Sequence, residues 1–345
     1  MGAWVDACDF RGEKSRSQHA PPSMHPHGAE TSEAELRRCP GKGIPYQIRR
    51  EVEHLSIDPF MRAALNEGSA HPAVPIGGLL PALGVGHVVA SAVPELKVGD
   101  PVFGTTLAQT FATLPPMMIE KADVSDVPLT AYLGALGGTG GLTAYFGIRD
   151  VGAVKAGETV VISAAAGAVG SIAGQIARID GARVIGIAGG PEKVRYVVDE
   201  LGCDACIDYK GEDLDARLRE LAPDGIDVFF DNVGGEILDV ALDNIRTGAR
   251  VVLCGAISQF NHMERVVGPS LYLRLAERNS RMAGFTVTHY RDRFPEARAQ
   301  LGDWLTGGQL KLREHVEEGI ENLGATLLKL FDGSHTGKLL LKVSK

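Results

Sequence analysis

Residues 159–202 read TVVISAAAGAVGSIAGQIARIDGARVIGIAGGPEKVRYVVDELG, and this stretch decides the fold. Residues 159–166 are an apolar run typical of a buried strand, and residues 169–181 repeat their apolar positions with helical spacing. A second strand is predicted at 183–189 and a second helix at 191–202. Strands that alternate with helices predict a parallel, doubly wound sheet with right-handed crossovers, and therefore an α/β fold.

The same alternation continues further along the chain. Strands are predicted at 203–209, 226–233 and 249–257, and amphipathic segments such as 214–223 separate them. Because the helical pattern starts after Pro128, we place a domain boundary there and expect residues 129–306 to form the α/β domain.

The chain before this boundary has a different character. Residues 44–128 carry frequent Gly and Pro between short apolar runs, which predicts a small β-rich domain. Residues 1–43 show neither the period of a strand nor that of a helix, so we expect a poorly ordered tail. The tail contains His19, His25 and His27, and these are better explained as solvated side chains than as metal ligands, since no cysteine stands at zinc-finger spacing.

Composition excludes several classes of partner. The chain has 345 residues and a formal net charge of −8 at pH 7, without a long run of Lys or Arg, so neither nucleic acid nor an anionic membrane is expected to bind. No apolar run reaches the roughly 20 residues that a membrane span needs, and we expect a cytoplasmic protein. The five cysteines are scattered and are expected to be reduced thiols.

A turn of small residues connects the first predicted strand to its helix. Residues 164–170, AAAGAVG, form an A-x-x-G-x-x-G pattern that includes Gly167, Ala168, Val169 and Gly170. A backbone free of bulky side chains can approach a pyrophosphate, whose charge is stabilised by the positive end of the helix. The position between strand and helix favours a Rossmann dinucleotide site over a turn used only for packing.

The residues after the second strand favour NADPH over NADH. Gly189, Gly190 and Lys193 stand where an NAD site has a carboxylate for the ribose hydroxyls. Without an acid there a 2′-phosphate is not repelled, and Lys193 is expected to bind it, in preference to being an ordinary exposed lysine. Glu192 argues the other way, because a first-turn acid can contact a ribose hydroxyl.

Polar and small residues also follow the fourth and fifth strands. Asp231 and Asn232 come after one strand and Cys254 after the other, at the edge where doubly wound sheets bind ligands. For Asp231 and Asn232, helix capping and ligand contact remain open alternatives. His87 is expected to be packed or hydrogen-bonded, and no three side chains are spaced for catalytic zinc.

Cys203 and Cys206 have the spacing of a redox pair. They lie where a helix ends and an inner strand begins, and small buried thiols are common there. We therefore favour a structural role over a redox role for this pair.

Eight ordered strings of the sequence resemble the zinc-independent medium-chain dehydrogenase/reductase superfamily. Within it they are most similar to the NADPH-dependent double-bond reductases, which include prostaglandin, alkenal and curcumin reductases. The resemblance covers residue 52 to the C-terminus. Its strings are LSIDPFMR (55–62), GG-TAYFG around Thr143, SAAAGAVGS (163–171), AGGPEKVRYVVDELG (188–202), DNVGGEILD (231–239), CGAISQFN (254–261), RMAGFTV (281–287) and GKLLLKV (337–343).

The resemblance implies an architecture and a set of cofactor contacts. It implies a GroES-like β-barrel domain made of residues 44–128 with 307–345, a Rossmann domain at 129–306, an active site between them, and a homodimer. The residues that it implies for NADPH binding are Met61, Thr143, Gly167, Ala168, Val169, Gly170, Gly189, Lys193, Tyr209, Asn232, Cys254, Ile257, Phe285, Val287 and His335.

The family's reaction sends a hydride from NADPH to the β-carbon of an α,β-unsaturated ketone or aldehyde, with no metal. By the same resemblance Phe260, Asn261 and Tyr272 belong to the substrate cleft. Phe260 replaces a tyrosine that is often proposed to donate a hydrogen bond or a proton, which phenylalanine cannot do. No proton donor is assigned, and the conceivable substitutes are Tyr132, Tyr145, Tyr272 and Tyr290.

Other departures from the family keep two alternative functions open. Residues 333–338 read GSHTGK, so His335 replaces an asparagine that usually contacts the cofactor, and residues 137–141 contain an extra glycine. The tail at 1–43 occupies the place of the family's opening strands. The alternatives are an NADPH:quinone reductase and a catalytically silent NADPH-binding sensor or structural protein.

Overall fold

The structure, a computed structural model, describes residues 47–66, 73–261 and 266–344. The predicted tail, with its three histidines, lies outside the described residues, as do Cys8 and Cys39. No helix within the described ranges is long and apolar enough to cross a membrane.

The first sheet begins with five strands and one short helix. These are β1 (Ile48–Ser56), α1 (Phe60–Ala63), β2 (Leu83–Ser91), β3 (Pro101–Thr105), β4 (Phe111–Leu114) and β5 (Ile119–Lys121). Strand β1 lies in the middle and pairs antiparallel with both β2 and β4. Ile48 and Val52 of β1 point into the apolar core because side chains alternate along a strand, and a register shift after Val52 turns Leu55 inward as well.

The second sheet is parallel and has six strands. They are β6 (Thr159–Ser163), β7 (Arg183–Ala188), β8 (Ala205–Asp208), β9 (Ile226–Asp231), β10 (Ile245–Leu253) and β11 (Arg281–Gly284), in the spatial order β11-β10-β9-β6-β7-β8. The strand order reverses between β6 and β9. In doubly wound sheets, ligands bind at the carboxyl edge beside such a reversal.

Helices pack on both faces of the second sheet, and others lie in the segments that connect its strands to the rest of the chain. They are α2 (Thr143–Phe146), α3 (Ala168–Ile179), α4 (Pro191–Arg195), α5 (Leu214–Leu221), α6 (Gly235–Asp243), α7 (Arg274–Glu277) and α8 (Phe294–Thr306). Apolar residues of α3, such as Ile172 and Ile176, are fully buried in one core, while Leu238 and Leu242 of α6 belong to the core on another side. Burial of these residues fixes the helices against the strands.

The C-terminal segment completes the first sheet. Strand β12 (Glu314–Glu318), helix α9 (Leu323–Asp332) and strand β13 (Lys338–Lys342) follow the parallel sheet, and β13 pairs antiparallel with β1 and parallel with β12. The first sheet is therefore mixed and has seven strands among the described residues. The predicted fold class, a doubly wound parallel sheet with a separate β-rich sheet, is confirmed, whereas the exact domain boundaries stay a prediction.

The predicted elements of the parallel sheet are present with shifted ends. All five predicted strands occur, but β10 begins at Ile245 and the helix predicted at 191–202 is α-helical only as far as Arg195, continuing as a π-helical turn at Tyr196–Glu200. Strand β11 was not predicted, because its four residues, RMAG, include none of the β-branched or aromatic residues that favour strands.

Candidate active site

The turn from β6 into α3 forms a close approach of backbone to backbone. Ala164 has a left-handed φ of 50°, and the Gly167 N–H donates to its carbonyl at 2.9 Å. A methyl group added at Gly170 would lie 2.3 Å from the same carbonyl oxygen. Only glycine fits there, so α3 can begin directly above the turn with its first N–H groups facing outward. This arrangement suits a pyrophosphate.

A loop from the first sheet packs against this turn. The Gly337 N–H donates to the Ala166 carbonyl at 2.8 Å, and Gly167 and Gly337 form a parallel bridge. Residues just before β13 therefore lie beside the residues that the sequence predicts to hold the pyrophosphate. Residues 333–337 become part of the same site.

Two lysine ammonium groups converge at Gly333. The Lys193 Nζ donates to the Gly333 carbonyl at 2.8 Å, and a methyl group at Gly333 would lie 3.6 Å from the Lys193 Nζ and 4.0 Å from the Lys210 Nζ. Burial lowers the pKa of Lys193, and the nearby charge of Lys210 lowers it further. Neither ammonium group is paired with a carboxylate in the part of the chain that the structure describes. Two cations held together in this way suit a phosphate dianion.

Lys210 was missed in the sequence. It follows β8, and β8 pairs with β7, so its side chain reaches the residues that follow β7. A methyl group at Gly189 would lie 2.9 Å from the Lys210 Cε and 2.8 Å from the Tyr209 Cε1. The side chains of Tyr209 and Lys210 therefore pack directly against the Gly189 backbone. The signal available in the sequence was a lysine directly after a strand adjacent to the predicted ribose site.

No carboxylate takes the place of the missing acid after β7. Asp208 is nearest along the sheet edge, but its Oδ1 accepts the Gly190 N–H at 2.7 Å and the Lys210 N–H at 3.1 Å. The charges of Asp332 and, after it, Glu192 oppose the lowered pKa of Lys193. The Lys193 and Lys210 ammonium groups both lie near Gly333, an arrangement that favours a 2′-phosphate.

His335 lies in the same loop. Its Nδ1 is 2.9 Å from the Lys329 carbonyl oxygen. Burial lowers the pKa of His335, the hydrogen bond to Lys329 opposes this, and the charge of Lys193 lowers the pKa further. His335 is therefore an electrostatic neighbour of Lys193, and its contact with the cofactor stays a prediction.

Asp231 and Asn232 hold the turns around the strand reversal. The buried Asp231 carboxylate accepts the Ser163 hydroxyl at 2.8 Å and the Val233 and Gly234 N–H groups at 3.0 Å. Burial raises the pKa of Asp231, and these hydrogen bonds oppose the shift. The Asn232 Nδ2 donates to the Ser163 carbonyl at 2.7 Å. Asp231 therefore fixes the turn before α6 but does not cap the helix, since Gly234, the residue at its N-cap, leaves α6 without a side-chain cap hydrogen bond.

The loop after β10 continues along the carboxyl edge. The Cys254 N–H donates to the Asp231 carbonyl at 2.9 Å, and the Ile257 N–H donates to the Asn232 carbonyl at 3.1 Å. Burial raises the pKa of Cys254 to about 12, so its thiol stays protonated. Cys254, Ile257 and Asn232 are thus brought together, as the sequence predicts for the nicotinamide half of a dinucleotide.

Asn261 makes a contact across the two sheets. The Arg62 Nε, in the segment that begins at α1, donates to the Asn261 Oδ1 at 3.2 Å, and the Arg62 Nη1 donates to the Asn66 Oδ1 at 2.8 Å. Phe260 immediately precedes Asn261 and is partly buried. Arg62 was not singled out in the sequence, since 199 residues separate the two partners.

Other predicted residues are distributed around this edge. Phe285 packs edge to face with Tyr290, and the Thr143 Oγ1 donates to the Gly138 carbonyl at 2.6 Å. Val287 follows β11 and packs against the core. Met61 is fully buried in the core of the first sheet, so its side chain faces apolar neighbours. A cofactor contact by Met61 would require its backbone.

The four conceivable tyrosine donors have different surroundings. The Tyr132 hydroxyl donates to the Asp123 carbonyl and the Tyr145 hydroxyl accepts from the Arg149 Nη1 at 3.3 Å. Tyr290 stacks on Phe146. Tyr272 is 57% exposed and follows Leu271, whose N–H donates to the Asp239 Oδ1 of α6 at 2.9 Å.

The remaining thiols and histidines have structural surroundings. Cys203 and Cys206 are free and buried, and burial raises the pKa of each to about 12, which opposes a redox role. The His87 Nδ1 is hydrogen-bonded to the Glu53 Oε1 at 2.6 Å. Across residues 47–66, 73–261 and 266–344, no group of three His, Cys, Asp or Glu side chains is arranged to hold a metal ion.

Two family models match the chain. Residues 168–302 match the model described as "Zinc-binding dehydrogenase", and residues 25–122 match the "N-terminal domain of oxidoreductase". The second match begins inside the segment predicted to be a tail.

Two curated relatives and one solved structure cover most of the chain. "Putative NADP-dependent oxidoreductase YfmJ" of Bacillus subtilis is 45% identical over 84% of this chain and 86% of the relative. "2-alkenal reductase (NADP(+)-dependent)" of Nicotiana tabacum is 38% identical over 85% of this chain and 86% of the relative. The crystal structure of CurA from Vibrio vulnificus in complex with NADPH is similar with a TM-score of 0.81 at 36% identity, covering 87% of this chain and 90% of that one.

Proposed function

The chain belongs to the double-bond reductase group of the medium-chain dehydrogenase/reductase superfamily, and we propose that it reduces α,β-unsaturated ketones and aldehydes with NADPH. The observation that carries the proposal is the pair of ammonium groups of Lys193 and Lys210 near Gly333, in the loop whose Gly337 contacts the glycine turn of the parallel sheet. A relative that is named as an NADP-dependent 2-alkenal reductase supports the substrate class.

We propose that residues along the carboxyl edge of the parallel sheet hold NADPH. The turn at Gly167 and Gly170 would hold the pyrophosphate, and Lys193 and Lys210 would hold the 2′-phosphate beside Gly189. The nicotinamide half would lie against the loops at Asn232 and Cys254, with Phe285 and Val287 nearby. The bound cofactor supplies a hydride from its nicotinamide ring to the substrate β-carbon.

Asn261 is proposed to stabilise the enolate that hydride addition creates on the substrate. Arg62 donates to the Asn261 Oδ1, which leaves the Nδ2 hydrogens as donors for the substrate oxygen. A preorganised donor at a developing oxyanion lowers the barrier, and no metal is needed for this role. Phe260 would pack against the apolar part of the substrate.

The test follows the absorbance of NADPH, with NADH in parallel, when purified protein is mixed with a panel of enones, enals and quinones. We expect rapid loss of NADPH with enones and enals, slower loss with quinones, and weak use of NADH. Faster turnover of quinones would favour the quinone reductase alternative. Binding of NADPH without turnover of any substrate would favour the silent binding protein.

A homodimer is proposed through the edge of the parallel sheet. Strand β11 is the last strand in the order and pairs only with β10 among the described residues. Near it, Val267, Tyr272 and Leu273 are each more than half exposed. An open strand edge and exposed apolar side chains suit a second copy of the chain. Light scattering after size exclusion should give a dimer mass, and Leu273→Glu should shift it toward the monomer.

A reducing compartment such as the cytoplasm is proposed for the protein. Cys203, Cys206 and Cys254 are free thiols, and none of them is paired in a disulfide. Free cysteines of this kind are typical of reducing surroundings. Fractionation of cells that express the tagged chain tests this placement.

A further inference from the structure

The ring of His335 is held so that only one of its nitrogens can titrate. Its Nδ1 is 2.9 Å from the Lys329 carbonyl oxygen, and a carbonyl oxygen can only accept a hydrogen bond. The Nδ1 therefore carries a hydrogen, and in the neutral ring the Nε2 is a bare acceptor. A bare acceptor cannot donate to a phosphate oxygen, and its lone pair repels one.

The surroundings of His335 keep the ring neutral while no anion is present. The residue is partly buried, and the ammonium groups of Lys193 on α4 and Lys338 on β13, with His315 on β12, are its electrostatic neighbours. Lys210 adds a further charge at Gly333. Asp332 at the end of α9 is the acidic neighbour, and its Oδ1 accepts the Ser334 N–H at 2.7 Å.

Other charges near the ring are already engaged in ion pairs. The Lys338 Nζ is 2.7 Å from the Asp58 Oδ1, the His315 Nε2 is 2.7 Å from the Glu317 Oε1, and the Lys329 Nζ pairs with the same Glu317 oxygen. A phosphate dianion beside Lys193 would therefore change the local charge more than any group that the loop already contains. It would favour a proton on His335.

We propose that His335 takes up one proton from solvent at its Nε2 when the 2′-phosphate of NADPH binds between Lys193 and Lys210. The imidazolium then donates to the phosphate and adds a third positive charge to the site. This inference rests on the proposed use of NADPH, and it makes the preference for NADPH over NADH depend on pH. NADH has no 2′-phosphate, so its binding leaves His335 neutral.

The sign of the pH dependence follows from the two states of the ring. In the free protein the pKa of His335 is lowered, mainly by burial, and in the complex the phosphate raises it. Between those two pKa values each NADPH binds with one proton, so its Kd rises up to tenfold per pH unit. Below the lower value, and again above the upper value, the Kd for NADPH loses this dependence on pH.

Titration calorimetry of the full chain with NADPH measures the proton directly. At pH 7.5 the 2′-phosphate, with a second pKa of about 6, is already a dianion, so the ligand itself contributes little. Runs in two buffers with different ionisation enthalpies give the number of protons taken up. We expect a clear fraction of one proton for NADPH and none for NADH.

His335→Asn is the matched control, because its amide donates at every pH and Lys193 is unchanged. We expect this variant to bind NADPH without the extra proton and with a preference for NADPH that is constant above about pH 7.5, where the 2′-phosphate is already a dianion. His335→Gln serves as a second variant if the first does not fold. Equal proton uptake by the wild type and the variant, or by NADPH and NADH, would overturn the role of His335. Failure of the wild type to bind NADPH at all would overturn the cofactor assignment with it.

Discussion

At the scale of single residues, the proposed choice of cofactor depends on two ammonium groups, one on helix α4 and one in the segment after strand β8. Lys193 was predictable because its distance from the glycine turn places it opposite the ribose. Lys210 was not, since its role depends on β8 lying next to β7 and on the small size of Gly189. Local sequence patterns identify the strands but do not state which side chains meet across their ends.

Lys193→Ala and Lys210→Ala are expected to weaken NADPH binding and to leave NADH binding unchanged. Loss of one charge-assisted contact to a phosphate costs about 1.5–3 kcal/mol, so the Kd for NADPH should rise roughly tenfold or more in each variant. Fluorescence titration with both cofactors measures this. Lys155→Ala is the matched control, because Lys155 is exposed before β6, at the opposite end of the parallel strands. An equal loss of NADH affinity would contradict the assignment.

Asn261 is the donor in the account of catalysis. Asn261→Leu should lower kcat by about 10²–10³ with little change in the Kd for NADPH, because one oxyanion donor is removed. Arg62→Met should reduce kcat less, since Asn261 remains but loses the bond that fixes its amide. Phe260→Tyr should keep the enzyme active. Stopped-flow measurement of NADPH oxidation separates these effects, and an Asn261→Leu variant within twofold of wild type would exclude the role.

At the scale of elements, the turn into α3 combines features that the sequence did and did not reveal. The pattern predicted a strand, a turn of small residues and a helix, and all three are present. The left-handed backbone at Ala164 was not predicted, and the contact of Gly337 with Ala166 was not predictable, because it joins two distant parts of the chain. Strand β11 was also missed, since its four residues are placed by pairing with β10 rather than by their own propensity.

Two glycine substitutions with opposite expected effects on stability test the packing of this turn, one in the turn itself and one in a distant helix as the comparison. Gly170→Ala would put a methyl group 2.3 Å from the Ala164 carbonyl oxygen, so we expect a loss of stability of about 1–3 kcal/mol and weaker NADPH binding. Gly302→Ala in α8 meets no atom within 4 Å and should stabilise the protein by about 0.5–1 kcal/mol. Urea denaturation of both variants gives the two free energies. A Gly170→Ala variant as stable as the wild type would show that the backbone relaxes there.

At the scale of the whole molecule, a buried ion pair links the start of β13, directly after the loop at residues 333–337, to the segment that follows β1. Lys338 of β13 is 1% exposed and its Nζ is 2.7 Å from the Asp58 Oδ1, while the Ser56 hydroxyl also donates to Asp58. Lys338 directly follows Gly337, which contacts the turn at Ala166. The pair therefore fixes the loop that carries His335.

Lys338→Met should destabilise the protein by about 3–5 kcal/mol, because Asp58 would be left buried without its partner. The double variant Asp58→Asn with Lys338→Met should recover much of this loss, since no isolated charge remains. Thermal unfolding with and without NADPH measures both effects. A single variant that unfolds at the wild-type temperature would show that the pair is dispensable.

The overall arrangement was predicted better than its active site. The two sheets and the dinucleotide edge follow from period, glycine placement and family resemblance. The contacts that determine chemistry, such as Arg62 with Asn261 and His335 with Lys329, join distant parts of the chain. Their positions depend on the packing of both sheets, and a sequence pattern holds no record of that geometry.

The central claim is hydride transfer from NADPH to a β-carbon, and isotope placement tests it most directly. The protein would be supplied with NADPH deuterated at C4 on the transferred face and with a simple enone, and the product would be analysed by nuclear magnetic resonance. We predict a saturated ketone with deuterium at the β-carbon. Deuterium at the carbonyl carbon of an unsaturated alcohol, or no transfer while NADPH remains bound, would contradict the account.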